Sequence, residues 1–187
     1  MRFLILCCLL LCCFPANAKE IAGVMVQETL QTENGATLYL NGAGIRSKFF
    51  FDIYIAELYL EHPSNSVNEV IESPGRKRIV MYFLHDEVGR DKLIDGWNEG
   101  FKGNTPAGSV AQLQARIDQF NGMFDDVKKG DSIVLDYIPE KGTVVTVAMQ
   151  EKGVIPGKEF NDALLRIWLG ERPVNKGLKE KLLSHGQ

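Results

Sequence analysis

Apolar and polar residues alternate through the first half of the chain, and the period changes to three and four in the second half. Residues 24–30 and 37–40 alternate on either side of Glu33-Asn34-Gly35, and Asn-Gly is a strong hairpin turn signal. Residues 49–60 form a long stretch dense in aromatic and β-branched side chains, which predicts a strand. Its odd positions (Phe49, Phe51, Ile53, Ile55, Tyr59) and its even ones (Phe50, Tyr54, Ala56, Leu58, Leu60) are both apolar, so this strand is expected to be covered on both faces. Ser66 and Glu69 are spaced as the capping box of a short helix, and 77–84 reads as another strand. Leu93, Trp97 and Phe101 then recur at four-residue steps, which stacks them on one helical face. Val110, Leu113, Ile117, Phe120 and Phe124 predict a second amphipathic helix, with Ser109 and Gln112 as its capping box. Residues 132–138 and 143–150 flank Glu140-Lys141-Gly142 as a hairpin. Phe160, Leu164, Leu165 and Trp168 predict a helix that Gly170 ends, and 176–184 a terminal helix. Hairpin spacing rather than crossover spacing predicts an α+β fold: an open-faced antiparallel β-sheet covered by helices on one face.

Residues 1–18 follow another grammar. Arg2 opens them, 3–14 are apolar without a break, Pro15 interrupts, and Ala16-Asn17-Ala18 puts small residues where a signal peptidase reads. This is the three-part pattern of a secretory signal, and it is shorter than the roughly 20 apolar residues that span a bilayer. The residues before Cys7, Cys8, Cys12 and Cys13 are Leu6, Cys7, Leu11 and Cys12, none of them the small residue of a lipid-anchoring site, so soluble release is expected. The division is a cleaved leader over 1–18 and one domain over 19–187. All four cysteines lie in the leader, which leaves the exported part without disulfides or thiolate-bound zinc and dependent on its core. The chain has 21 basic and 24 acidic residues, and losing Arg2 makes it one unit more acidic. That balance gives no electrostatic case for nucleic acid or an anionic membrane as a partner. No second apolar run of transmembrane length follows the leader.

Chemistry-bearing motifs are few. His62, His85 and His185 are far apart, with none in a ligand-spaced pair, so no metal is expected. There is no Gly-x-Ser-x-Gly elbow. Gly42-Ala43-Gly44 lacks the third glycine and the helix of a nucleotide loop, so no cofactor is expected there. Such glycines mark a bulge or a close backbone approach. Arg46 sits between Gly44 and the most apolar stretch. Its ordinary role is a strand-end arginine paired to a carboxylate. Its alternative is the mouth of a pocket, where the planar fork binds an anion through two hydrogen bonds. Tyr54 has an ordinary reading too, as a core tyrosine whose hydroxyl reaches the surface.

The segment Asn41-Gly42-Ala43-Gly44-Ile45-Arg46, followed by Ile53-Tyr54-Ile55-Ala56-Glu57-Leu58-Tyr59-Leu60, resembles the core signature of the chalcone isomerase family. Ile167-Trp168-Leu169-Gly170, with 178–183 after it, resembles that family's closing helices, and the branch it resembles most is the bacterial exported one. The resemblance implies two kinds of role. Plant members of the family close a chalcone to a flavanone, with an arginine that stabilises a phenolate beside a threonine, a tyrosine, an asparagine and a Ser/Thr. Fatty-acid-binding members keep the arginine and clamp a carboxylate between it and a tyrosine that replaces the threonine. Arg46 matches the shared arginine, and Tyr54 matches the position that is tyrosine in the binders. The enzymes' helix tyrosine has no counterpart between Tyr82 and Tyr137. Their asparagine corresponds to Asp95 or Asn98, and their Ser/Thr falls at Ile167, which donates no hydrogen bond.

The resemblance therefore implies a binder of a small apolar carboxylate such as a fatty acid, exported to a periplasm, with Arg46 and Tyr54 on the carboxylate. Phe50, Trp97 and Ile167 are expected as the apolar wall, with Asn98 beside them. The alternatives are an isomerase of intramolecular-lyase type using Arg46 on a developing oxyanion, and a protein-contact module without a ligand. Geometry sets a condition on the clamp: eight residues of straight strand would separate Arg46 from Tyr54 by about 26 Å. The clamp requires the chain to turn or bulge between Ser47 and Asp52.

Overall fold

A computed structural model describes residues 18–186. The expected leader lies outside the described residues except for Ala18, which opens the first strand. Strands β1 (Ala18–Ile21) and β2 (Val24–Gln27) form an antiparallel ribbon. Next come β3 (Thr29–Gln31), β4 (Thr37–Lys48), β5 (Phe51–Leu60), helix α1 (Val67–Glu72), β6 (Lys77–Phe83) and β7 (Glu87–Val88). Helices α2 (Arg90–Asn104) and α3 (Ala107–Asn121) precede β8 (Val127–Lys128), β9 (Ser132–Ile138), β10 (Gly142–Val147) and β11 (Gln150–Ile155). Helices α4 (Lys158–Leu169) and α5 (Lys176–Leu182) close the order. The main sheet is seven-stranded and antiparallel throughout, in the spatial order β11-β10-β9-β6-β5-β4-β3, and all five helices pack on one face of it.

Period two decides which side chains meet the helices. Along β6, Ile79, Met81 and Phe83 are buried while Arg78, Val80 and Tyr82 are half-buried. Cross-strand pairing aligns them with Tyr54, Ala56 and Leu58 of β5 and with Ile133 and Leu135 of β9. The helices meet this face with aromatic rings: Trp97, Phe101, Phe120, Phe124, Phe160 and Trp168 stack edge-on or tilted with centroids 4.8–6.2 Å apart, a geometry that adds to their area burial.

Several boundaries differ from the alternation pattern. The expected strand 24–30 bends at Glu28 into β2 and β3, which pair with different partners. The strand expected over 49–60 begins at Phe51, because Phe49 and Phe50 form a two-residue turn, and β4 runs on to Lys48 through the glycines. The Ser66 cap forms as expected, its Oγ accepting from Glu69 N. The Ser109–Gln112 box does not form. Pro106 starts α3 earlier, its carbonyl taking the N–H groups of Ser109 and Val110, so Ser109 already lies inside the first turn.

Asn41 and its two glycines anchor α5. Asn41 is the bulge at which the β4–β5 register shifts. Its buried amide donates to the Leu182 carbonyl (2.7 Å) and the Ser64 carbonyl (3.0 Å), and its Oδ1 accepts from Ser64 N (2.7 Å). One side chain thus satisfies a carbonyl at the end of α5 and fixes the loop before α1. A Cβ at Gly42 would collide with the Lys181 carbonyl oxygen, and one at Gly44 would sit 2.8 Å from Lys181 Cβ. The glycines are the close backbone approach that their spacing suggested.

The sheet's other face carries a buried acid. Val26 is fully buried, and the Tyr59 hydroxyl lies 2.9 Å from the Gln27 carbonyl, so the N-terminal ribbon lies against this face of β5. The same hydroxyl is 2.8 Å from Glu57 Oε2. One phenolic proton cannot serve two acceptors. If Tyr59 donates to Gln27, its oxygen accepts from a protonated Glu57. Burial raises the Glu57 pKa, against the lowering effect of the Tyr59 bond. A folded-state pKa above the unfolded value favours folding at low pH, and the contribution is lost as pH rises past the ordinary carboxylate range and through the folded value. Glu57→Gln keeps a donor without titrating. It should match the wild type near pH 4 and exceed it in stability by a growing margin toward pH 8, measured by urea unfolding at a series of pH values. Parallel pH profiles would show that Glu57 does not titrate in this way.

Candidate functional site

The β4–β5 hairpin builds the site. Its two-residue turn pairs Lys48 with Phe51 and Ser47 with Asp52, whose Oδ1 accepts from Ser47 Oγ at 2.6 Å. A one-residue register shift at Ile53 then sets Tyr54 opposite Arg46. The condition set by the 26 Å of straight strand is met by a turn together with a bulge. The guanidinium carbon of Arg46 lies 5.5 Å from the Tyr54 ring centroid, within cation–π range. Tyr54 is buried and faces the helices, where its hydroxyl accepts a hydrogen bond from Trp168 Nε1 at 3.1 Å. Among the described residues no protein acceptor takes the phenol's own proton. Burial raises the Tyr54 pKa, with the Arg46 charge and the Trp168 bond acting in the opposite direction, so Tyr54 is a donor and not a base.

Arg46 does not play the ordinary role of a strand-end arginine. Among the described residues it forms no ion pair, and its Nε is buried with no hydrogen-bond partner. The indole Nε1 of Trp97 is likewise buried and unpartnered. Buried polar groups are paired in the great majority of cases. Two residues with unpaired N–H donors and a tyrosine whose proton has no protein acceptor, all lining one space, make a region short of acceptors.

That space is a cavity of about 60 Å³ between β4, β5, β6, α2 and α4. Ile53, Met81, Phe83, Leu93, Trp97 and Ile167 supply apolar walls, and Arg46 and Tyr54 supply polar ones. Outside it lies a wider vestibule of about 410 Å³, lined by Lys48, His85, Glu87, Lys92, Asp95 and Glu99. Arg46, Ile53, Val88, Lys92 and Gly96 border both, so Arg46 sits at the boundary between an apolar interior and a polar mouth. Gly96 has open space where a Cβ would project. No cluster of metal-ligating side chains occurs among the described residues.

Of the residues singled out from sequence, Arg46, Tyr54, Trp97 and Ile167 border this cavity. Phe50 does not. It is 100% exposed, because the chain turns at Phe49-Phe50 and the parity expected of a continuous strand breaks there. Asn98 does not either. It lies about 100° around α2 from Trp97, is exposed, and accepts from Asn121 Nδ2 on α3 at 2.9 Å. Asp95 reaches the vestibule. Met81, Phe83, Leu93, Lys92, Gly96 and Trp168 were not singled out. The alternation of β6 held the signal for Met81 and Phe83, and the four-residue step before Trp97 held it for Leu93.

Fold and site together define an α+β protein whose helices close one face of a curled antiparallel sheet over a small arginine-edged cavity. The chain belongs to the chalcone isomerase-like family, whose model matches residues 18–184. In three dimensions it is similar to the crystal structure of the Arabidopsis thaliana fatty-acid binding protein AtFAP1, with a TM-score of 0.61 covering 83% of this chain and 96% of that one. At 15% identity this likeness concerns the fold. No curated protein matches the chain.

The Tyr54–Trp168 contact is testable through stability. Tyr54→Phe removes the acceptor and leaves a buried indole N–H unpaired, which should cost about 1–3 kcal/mol. Adding Trp168→Phe should cost less than the sum of the single changes, because neither partner is then left unsatisfied. Urea unfolding of the wild type, both single variants and the double variant closes this cycle, and strict additivity would contradict the contact.

Proposed function

We propose that the protein binds a small apolar carboxylate, such as a fatty acid, with its head at Arg46 and its tail among the apolar walls. One observation carries this reading: Arg46, Tyr54 and Trp97 line one cavity, and Arg46 Nε and Trp97 Nε1 are buried without an acceptor. A carboxylate supplies up to four acceptor positions and a negative charge. Charge-assisted bonds to arginine are strongest where water is excluded. The similarity in fold to a protein described as fatty-acid binding agrees with this reading.

At about 60 Å³ the cavity as it stands is far smaller than the roughly 300–1,000 Å³ of a typical ligand pocket. A short acid fits with little rearrangement. A long acyl chain requires side chains of α2 and α4 to part, beginning with Ile167, which packs against Gly100. We further propose that residues 1–18 are a cleaved leader and that the protein is a bacterial, exported member of the family working in a periplasm. The basis is the leader's three-part grammar and the resemblance to exported relatives.

A second reading keeps the same arginine and makes it catalytic, as an isomerase of intramolecular-lyase type. The vestibule gathers His85, Glu87, Asp95 and Glu99 at the same mouth, which would supply the proton-handling groups that the inner cavity lacks. Binding ranks first because Tyr54 holds its proton and Ile167 offers none.

Native mass spectrometry of the purified protein, with bound material extracted and identified, tests the leading reading against Arg46→Ala. The wild type should carry or take up a fatty acid. The variant should bind it at least tenfold more weakly, the equivalent of about 1.4 kcal/mol. A wild type that arrives empty and ignores added acids would overturn the binding reading. Turnover of an enone that Arg46→Ala abolishes would put the second reading in its place.

A further inference from the structure

Six large apolar side chains stand exposed among the described residues, and four of them gather at one end of the main sheet. Phe49, Phe50 and Phe51 are 86%, 100% and 60% exposed at the tip of the β4–β5 hairpin, and Met149 is 88% exposed at the β10–β11 turn. The pairing register puts both turns at the same end. Tyr54 pairs with Phe83, Tyr82 with Ser132, and Ile133 with Val147, and each of these pairs lies at the edge from which the turns project. The β4–β5 and β10–β11 turns lie four inter-strand steps apart, about 19 Å across the sheet. Single exposed apolar residues need no explanation, but a run of three Phe with a fourth apolar side chain at the same edge does.

Backbone conformation points the same way. Phe49 has φ +57°, and Ala148 and Met149 have φ +47° and +66°. Two-residue hairpin turns take such angles readily only with Gly, Asn or Asp, and a bulky residue there is strained. At both turns an apolar side chain occupies a position where local conformation favours a small or polar residue. Neither turn gains burial in the protein's own core by this. The Ser47–Asp52 hydrogen bond braces the base of the first tip, so its exposed rings stand on a fixed turn.

We propose that this edge docks on a phospholipid bilayer, with Phe49, Phe50 and Phe51 as the inserting wedge and Met149 as a second foothold. The proposal names the source from which the site described above is loaded, and to that extent rests on the carboxylate reading. Arg46 and Ile53 flank the wedge in sequence and border both the vestibule and the inner cavity, so the mouth opens beside the point of insertion. An apolar acid partitions into bilayers, and a mouth seated there receives it without passage through bulk water. Lys48 and Lys92 at the mouth suit headgroup phosphates. Glu87, Asp95 and Glu99 balance them, so apolar insertion and not charge drives docking. A second copy of the chain seated tip to tip would shut the mouth instead.

The test is flotation of the purified protein with phosphatidylcholine vesicles, with and without phosphatidylglycerol, at low and high salt. The wild type should partition onto both vesicle types, with less than a threefold change across salt. Phe50→Ser should weaken partitioning at least tenfold. Phe49→Gly combined with Phe50→Ser should abolish it at unchanged or raised thermal stability, since glycine relieves the positive φ. Both variants should keep the wild-type affinity for a soluble short-chain acid and load a long-chain acid from vesicles more slowly. Arg46→Ala should float as the wild type does while losing acid binding, whereas a wild type that floats but takes up no acid sinks the carboxylate reading alone. A wild type that stays off every vesicle overturns the docking proposal, as do tip variants that float normally. A wild-type dimer in sedimentation that Phe50→Ser dissociates would make the wedge a contact between copies and overturn it as well.

Discussion

The β4–β5 pairing is the constraint on which the other features hang. Antiparallel pairing brings residues far apart along a straight strand within a few ångströms, and here it sets Arg46 against Tyr54 across one ladder. A slip of one residue between β4 and β5 would put Arg46 and Tyr54 on opposite faces, because strand side chains alternate. Three features resist that slip. Asn41 bulges out of register to hold the end of α5, Gly42 and Gly44 let that helix lie directly on β4, and Ser47 bonds Asp52 across the turn. The helix layer is seated by the same strand that carries the arginine. Fold and site are therefore not independent: the motif that admits α5 also orients Arg46.

The electrostatics of the cavity follow from what surrounds that pair. Trp168 occupies the acceptor side of the Tyr54 hydroxyl, and the aromatic floor of Trp97 and Trp168 excludes other acceptors. In such surroundings an unpaired donor is costly, and an anion that accepts from several donors relieves the cost at once. The raised pKa of Tyr54 keeps its proton in place for that purpose. The same arrangement disfavours chemistry that needs a base inside the cavity, whose carboxylates and histidine all stand outside it in the vestibule.

Much of this was legible in the residues, and the exceptions have physical causes. The layered α+β fold followed from period two giving way to periods three and four, and the glycines before Arg46 announced a close approach that α5 makes. A turn between Ser47 and Asp52 was required by the clamp but not signalled by its residues, since nothing in two phenylalanines marks a turn, and reading on through them placed Phe50 in the cavity wall. The start of α3 was misread because Pro106 begins a helix as readily as Ser109 caps one. Asn98 was one of two candidates adjacent to the correct face of α2, and a helix turns away within one residue. Unpaired donors such as Trp97 Nε1 have no signature in sequence, because what defines them is the acceptor missing from three dimensions.

Binding measured by calorimetry, for a fatty acid and for the alcohol of the same chain length, tests the central claim most directly. Both ligands bring the same apolar tail, and only one brings the charge that Arg46 and its neighbouring donors can take. The account predicts that the acid binds at least tenfold more tightly than the alcohol and that Arg46→Ala erases the difference. Equal affinity for the two ligands in the wild type would contradict it and leave the arginine without a role in recognition.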